Sequence, residues 1–586
     1  MKIIKILWIL VFVLFFGCSQ KIDREINQED LHTLMDFLAS DSLKGRYPGT
    51  PEDSVLLHYI TSQFEKYGLS APAGGYIQNF ELTTGVDVDP VSSLRTGSLD
   101  MEFGKDFYPM GFSSGGSVSA PVLFAGYGIV SGENTEDRND YLDIEPAGKW
   151  LIILRGSPDG KSDLLNYSRD RDKVMYASDK GAAGVLLVAG EKFSIEDRIE
   201  THLDPEPSVG IPVIQVTRSA IEKLMKGSDL SIPKIENYLQ DHSLSSAYIS
   251  NEELTCEIKI SKVSTMTGNV IGLIEGSDPV LKDEWIVVGA HHDHLGMGGS
   301  SNSSRMPDTI AVHNGADDNA SGVAAVLELA SRFSSTKHKH PRSLAFITFG
   351  AEEKGLVGSK YFVENMPFES SALLAMVNID MLGRMKPDSL LQVSGVGTSA
   401  EASELLEKVN ENYHLNLTLT EAGFGPSDHA SFYMADIPVF FFTTGPHKEY
   451  HTPLDDIDSI NFKGLEIATS FIADLIDQLG TIDSLTFREA GPKVSSGRSY
   501  RGSVTLGIMP DVSGGDTNGL KVLAVTEGRP GSTAGLKKGD IIIGIDNHVI
   551  GNIYDYMYRL KSYKPGDSVV ITILRNEKEI DLLVYF

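Results

Sequence analysis

Between about residues 266 and 480 one arrangement recurs: a short apolar run ends on an acid or a histidine, and an amphipathic stretch follows. Trp285–Gly289 leads into His291, Leu344–Phe349 into Glu352 and Glu353, Leu374–Ile379 into Asp380, and Val439–Thr443 toward His451. Apolar runs without polar alternation read as strands buried on both faces, and strands that alternate with helices pair in parallel. The region therefore reads as an α/β unit, a mostly parallel sheet flanked by helices. In such sheets ligands bind beyond the carboxyl ends of the strands, so the residues that follow each run can converge on one edge. Asp318 differs: Ser321 to Phe333 reads as a helix, and the Asp318 carboxylate is expected to be held at its start by backbone N–H groups.

Five side chains carry the chemistry: His291, Asp318, Glu353, Asp380 and His451. They lie in the motifs Gly289-Ala290-His291-His292-Asp293, Gly315-Ala316-Asp317-Asp318-Asn319, Ala351-Glu352-Glu353, Asn378-Ile379-Asp380 and Tyr450-His451-Thr452. Two imidazoles and three carboxylates suit two divalent cations, because three carboxylates with a bridging hydroxide balance the four positive charges.

The 586 residues suffice for roughly three to five domains of about 100 to 200 residues each. A composition 41% hydrophobic and 22% charged is that of a folded protein. Eighty acidic residues against 51 basic ones give a net charge of −29, which repels phosphate backbones and excludes nucleic acid as a partner.

Residues 1–17 pair a basic start with an apolar stretch from Ile6 to Phe16, shorter than the about 20 residues of a membrane span. With Gly17-Cys18-Ser19 this resembles a lipoprotein-type signal in which Cys18 becomes the lipidated first mature residue; Phe15 departs from the usual leucine. An ordinary signal peptide or an uncleaved anchor remains open. Cys256 reads as a small buried apolar residue.

Residues from about Asn27 to Gly68 look helical around a loop at Leu43–Thr50. From 111 to 250 short strands with Gly and Pro punctuation, such as Trp150–Leu154 and Gly184–Val188, suggest a separate module. The expected organisation is 18–110 and 251–485 as one domain, 111–250 as an insert, 486–502 as a linker rich in Gly, Ser and Arg, and 503–586 as a C-terminal module.

With its five motifs in order, the middle of the chain resembles the co-catalytic di-zinc aminopeptidase family, which shares the zinc-dependent exopeptidase fold with glutamate carboxypeptidases and the transferrin receptor. The resemblance covers about 25 to 110 and 251 to 480. It implies two zinc ions, with cobalt or manganese as substitutes: His291 and Asp380 on one, Glu353 and His451 on the other, Asp318 bridging. Glu352 would be the general base, Asp293 would accept a hydrogen bond from His291, and Tyr450 would stabilise the oxyanion, unless it is simply a packed loop aromatic. His292, His294, Asp317, Asp428 and His429 are rival ligands by chemistry and are read as loop or support residues. His313 and His447 are read as solvated loop histidines.

The insert resembles a β-rich protease-associated (PA) domain. The C-terminal module resembles a bacterial PDZ domain, with Leu506-Gly507-Ile508 as the loop that captures a peptide carboxylate, although it could simply pack on its neighbour. These resemblances imply an exported, lipid-anchored metalloaminopeptidase of the bacterial cell envelope acting on peptides, with a possible C-terminal peptide ligand at the PDZ domain. The alternatives are another exopeptidase or a carboxypeptidase of the same fold, or an inert peptide-binding adaptor.

Overall fold

The computed structural model describes residues 25–586 except 98, 131–137, 159–168, 202–205, 226–230, 242–248, 300–302, 307–308, 336–338, 492–503 and 512–518. The leader 1–17, Cys18 and most of the 486–502 linker lie outside the described residues.

The first sheet has eight strands in the order Ile77–Val88, Ile260–Ile274, Ser343–Phe349, Trp285–His291, Leu373–Ile379, Val439–Thr443, Leu390–Ser394, Asn416–Thr420. The four apolar runs read from the sequence form its centre and are mutually parallel. Antiparallel pairs flank them, Ile77–Val88 with Ile260–Ile274 on one side and Leu390–Ser394 with Val439–Thr443 on the other. The sheet is thus mixed: the strands that carry the motifs are parallel, and Leu390–Ser394 with Asn416–Thr420 form a further parallel pair at its edge.

Strand periodicity decides which face each apolar side chain serves. Ile286, Val288, Leu344 and Phe346 point to one face, against the helices Gln28–Leu38, Pro51–Tyr67, Gly322–Phe333 and Phe462–Thr481. Val287, Ala345 and Ile347 point to the other, against Val357–Glu364 and His429–Met434. The helix Pro51–Tyr67 starts where the Thr50 side chain accepts from Asp53 N–H with Pro51 in the first turn, and it stops at Gly68, whose φ is 84°. It lies close against the sheet because Gly272 has no side chain: a Cβ there would sit 2.5 Å from Leu69 and 2.9 Å from Phe64.

The insert builds a second eight-stranded sheet with its own core on each face. Its boundaries are wider than the expected 111–250. Ser93–Thr96, Leu99–Met101 and Phe107–Pro109 join it from before residue 111, and Ile249–Ile258 extends past 250. Backbone pairing sets this limit: Ser93–Thr96 and Gly116–Phe124 flank Ile249–Ile258 on either side, burying Leu94, Leu254 and Cys256 in the insert's core. Cys256 is free and buried.

The C-terminal module has a third sheet, in the order Ile508–Pro510, Leu520–Val525, Ile541–Ile545, Ser568–Arg575, Lys578–Tyr585, around a core that includes Leu506, Ile542 and Val569. It touches both other modules. Arg559 grips Asp179 of the insert with two nitrogens, Lys561 lies 2.7 Å from Asp172, and Lys538 donates to the Met434 carbonyl at 2.7 Å.

Candidate metal centre

Parallel pairing delivers the ligands to one place. His291 is opposite Phe349 and Gly289 opposite Asn378, so the ends of three adjacent strands lie side by side. His291 ends its strand, Asp380 follows Ile379 directly, and Glu353 sits four residues past Phe349 in a tight turn. His451 arrives on the long loop after Thr443, and Asp318 on the irregular turn Ala316–Ser321 before the helix Gly322–Phe333.

The Asp318 carboxylate joins two donor groups. Its Oδ1 lies 3.2 Å from His291 Nε2, which is 3.5 Å from Asp380 Oδ1. Its Oδ2 lies 3.2 Å from His451 Nε2, which is 3.2 Å from Glu353 Oε1. A tetrahedral site with bonds of roughly 2.0–2.1 Å has ligand-to-ligand edges of about 3.3 Å, so these spacings fit two zinc ions sharing Asp318. Asp380 Oδ1 and His451 Nε2 are buried at these spacings without a directed hydrogen bond, as atoms reserved for a metal would be.

His294, read as a support residue, enters the second group: its Nδ1 is 2.9 Å from Glu353 Oε1 and 3.8 Å from Asp318 Oδ2. The shorter spacing is that of a hydrogen bond rather than a ligand edge, so His294 orients the Glu353 carboxylate and His451 is the better ligand. Asp293 departs from its expected role. His291 Nδ1 lies 3.1 Å from the Asp293 backbone carbonyl and 3.8 Å from its carboxylate. The carboxylate instead accepts the backbone N–H groups of Glu352 at 2.9 Å and Glu353 at 3.3 Å, because the turn after Phe349 leaves those donors free of the sheet. Asp293 therefore builds the turn that presents the Glu pair.

The Asp318 turn is also held differently from expectation. Its carboxylate faces the histidines, while the carboxylate of Asp455 accepts N–H from Asp317 at 3.0 Å and Asp318 at 3.1 Å. Arg384 pairs with Asp455 at 3.3 Å. His447 is not a solvated loop residue: it lies 3.3 Å from both Asp317 Oδ2 and Glu449 Oε2. His313 is likewise buried, between Ser304 Oγ and the Ala311 carbonyl. His292, Asp317, Asp428 and His429 are buried outside the ligand cluster; His292 meets Thr348 and His429 stacks on Phe441 at 4.3 Å. Tyr450 stacks on His451 with ring centres 3.9 Å apart.

Without a metal the site is an electrostatic compromise. Burial pulls the His451 pKa down, but Asp318 and Glu353 outweigh it and push it up to about 10. Burial and Asp318 act to raise Glu353, yet the hydrogen bond from His294 and the His451 imidazole 3.2 Å away hold it at about 2. Burial, with Glu353, Asp428 and Asp380 nearby, lifts Glu352 well above the carboxylate range despite His291; part of its surface stays open to solvent. Burial raises Asp293 to about 7 and drives the Tyr450 hydroxyl far up, keeping it a neutral donor.

The family model of peptidase family M28 matches residues 269–476, a span containing all five ligand residues, and that of the PDZ domain matches 504–585. The middle of the chain is an M28 peptidase domain. Leupeptin-inactivating enzyme 1 of Streptomyces exfoliatus is 28% identical over 265 residues, 40% of this chain and 57% of its own length. An aminopeptidase of Pseudomonas aeruginosa is 25% identical over 503 residues, 79% of this chain and 82% of its own. The solved structure of an aminopeptidase from Aneurinibacillus sp. strain AM-1, 24% identical, covers 80% of this chain and 97% of that one at a TM-score of 0.47.

The M28 domain thus owes its centre to residues the motifs named, and its support to Asp293 and His294, which the sequence also singled out, and to Asp455 and Arg46, which no motif marked. In the PDZ domain Leu506 and Ile508 turn into the core, and Gly507 N–H donates to Thr505 Oγ1 at 3.1 Å.

Proposed function

We propose that the chain is an exported zinc-dependent aminopeptidase that binds two zinc ions and cleaves the N-terminal peptide bond of peptides. The observation that carries this reading is the Asp318 carboxylate set between His291 and His451, each 3.2 Å from one of its oxygens. When bound, the ions acidify a water and polarise the scissile carbonyl. Glu352, next in sequence to Glu353, takes the proton of the attacking water and passes it to the leaving amine. Tyr450 would donate a hydrogen bond from its neutral hydroxyl to the developing oxyanion. Acids dominate the walls, and the two arginines packed there are committed, Arg46 to backbone carbonyls and Arg384 to Asp455. That balance favours a substrate's free ammonium over a carboxylate, in keeping with the name of the Pseudomonas relative.

Three further parts of the proposal concern delivery. Lipidation of Cys18 would tether the enzyme at the cell envelope, the PA-like insert would border the cleft and limit substrate size, and the PDZ loop would take a peptide C-terminus.

The test is hydrolysis of aminoacyl chromogenic substrates, free and N-acetylated, by the wild type and by Glu352→Gln. The expected result is cleavage of the free substrates only, with kcat lower by about 10²–10⁴-fold in the variant while two zinc ions remain bound. Equal cleavage of acetylated substrates would overturn the preference for a free amine, and equal rates would overturn the base.

A further inference from the structure

Arg46 lies outside every motif that carries the chemistry, yet its side chain is fully buried beneath the ligand cluster. Its Nε donates to the His292 carbonyl at 2.8 Å, and one terminal nitrogen donates to the carbonyls of Leu38, at 2.8 Å, and Asn314. The other reaches the carbonyls of Gly315 at 2.9 Å and Asp318 at 3.4 Å. A guanidinium has five N–H donors, and here each finds a separate carbonyl. None of the five is a side chain: the fork is spent on backbone, and the backbone it selects belongs to the ligand loops. His292 follows His291, Asn314 and Gly315 lead into the bridging residue, and Asp318 is that residue. Leu38, the fifth, is at the carboxyl end of the helix Gln28–Leu38, where carbonyls lack helical partners.

The chain bends unusually to place this side chain. Lys44, Gly45 and Arg46 have φ of 44°, 74° and 52°, three consecutive left-handed residues, a conformation that costs non-glycine residues stability unless the surroundings enforce it. The enforcement is visible: Gly296 N–H donates to the Gly45 carbonyl at 2.9 Å and His294 N–H to the Arg46 carbonyl at 3.1 Å. A Cβ on Gly45 would lie 2.3 Å from the Gly296 oxygen, so only glycine permits the approach.

We infer that Arg46 is a positioning residue of the metal centre, a five-point clamp that ties the His291 loop and the Asp318 turn to the N-terminal helix. This rests on the proposed two-zinc reading for what the ligands hold, but not for which bond is cleaved. Because the clamp acts through backbone, it sets the distance between the first histidine and the bridging carboxylate without touching either side chain. A lysine keeps the charge but offers three donors from one nitrogen, so it cannot reproduce the fork.

The test compares wild type, Arg46→Lys and Arg46→Met by chelator competition for zinc, steady-state kinetics and thermal unfolding of the metal-free forms. Arg46→Lys is expected to lose about 10–100-fold in zinc affinity, as loss of a ligand-orienting partner does, with kcat falling and KM within about twofold. Arg46→Met should match it. Full rescue by lysine would show that only charge matters and overturn the clamp. So would an unchanged zinc affinity per folded molecule beside a lowered melting temperature, the mark of a purely structural arginine. Should both variants fail to fold, Asp41→Ala decides, since the exposed Asp41 holds the Asn314 side chain at 2.8 Å. A several-fold loss of zinc affinity supports the clamp and wild-type affinity overturns it. The zinc comparison needs no turnover: weakened zinc in the variants together with an inactive wild type would uphold the clamp and sink the aminopeptidase reading.

Discussion

The two halves of the candidate metal centre share Asp318 but are built by different means. His291 and Asp380 stand at or just past the ends of two paired central strands, so the backbone ladder fixes their spacing. Glu353 and His451 stand on loops, and side chains hold them: Asp293 gathers the Glu352–Glu353 turn, His294 orients Glu353, and His451 Nδ1 meets the Ser303 carbonyl at 3.2 Å. His291 is 1% exposed and His451 9%. Ladder bonds are released only with the sheet, whereas loop contacts open locally at lower cost. The ion at the strand-end half is therefore expected to be the structural anchor, and the ion at the loop half the exchangeable one.

His291→Ala and His451→Ala break this comparison most directly. Both should reduce bound zinc from about two ions to about one and abolish measurable turnover, since each removes a ligand. They should differ in what remains. The ion kept by His451→Ala should resist a chelator about as well as the slower ion of the wild type, and the ion kept by His291→Ala should leave fast. Zinc content by elemental analysis and its loss during timed chelator exposure give both numbers. Indistinguishable release in the two variants would mean that strand ends and loops hold their ligands equally well.

Asp293→Ala tests the loop half alone and more gently. It removes the acceptor of the Glu352 and Glu353 N–H groups and leaves every ligand in place. The expected loss in zinc affinity or kcat is about 10–100-fold, confined to the more exchangeable ion. If the strand-end ion weakens equally, Asp293 acts mainly on His291, as first expected from the sequence.

What the sequence made legible follows the same division. Strand-end ligands could be read because an apolar run and the residue that terminates it are neighbours in sequence, and the sheet makes their convergence general. His294 was legible as a support, but the supports distant in sequence were not. Asp455 bonds to Asp317 and Asp318, and Arg46 to Asp318, across separations that no local pattern records. Asp293 was misread for a subtler reason: its spacing from His291 is right, but its backbone carbonyl, not its carboxylate, meets the imidazole. The insert's first strands were missed because Leu99–Met101 and Phe107–Pro109 are three residues each, too short for alternation to register. His447 offered no motif, and its place between Asp317 and Glu449 depends on the fold of the loop.

The smallest expected effect separates metal-free from zinc-loaded protein by pH. In the metal-free state burial raises Asp293 to about 7 and Asp317 to about 6 from the usual 3.8, and Asp318 and Glu353 outweigh burial to raise His451 to about 10 from 6.5. A pKa raised by folding stabilises fully below its ordinary value, and the contribution is lost as pH climbs through the folded value. All three groups therefore stabilise the metal-free protein less as pH rises from about 5 to 9. Glu353 and Asp318 are shifted the other way and give up their contributions only on the acid side, Glu353 as pH falls through about 4 toward 2. The buried His292 and His429, lowered by burial to about 3 from 6.5, add stability as pH rises to about 6.5 and offset the decline below that pH. Zinc reverses the trend, because it competes with protons for His291 and His451 and adds about 2.7 kcal/mol when free ion is 100 times its dissociation constant. Calorimetry should show the melting temperature of the metal-free form falling by a few degrees from about pH 6.5 to 9 while the gap to the loaded form widens. In His451→Ala the alkaline part of the metal-free decline should shrink without disappearing, because the loop imidazole is removed while the strand-end His291, also raised well above its ordinary value, still titrates there. A gap of constant size across the range would mean that zinc does not displace protons from these histidines, and would count against both half-sites as metal ligands.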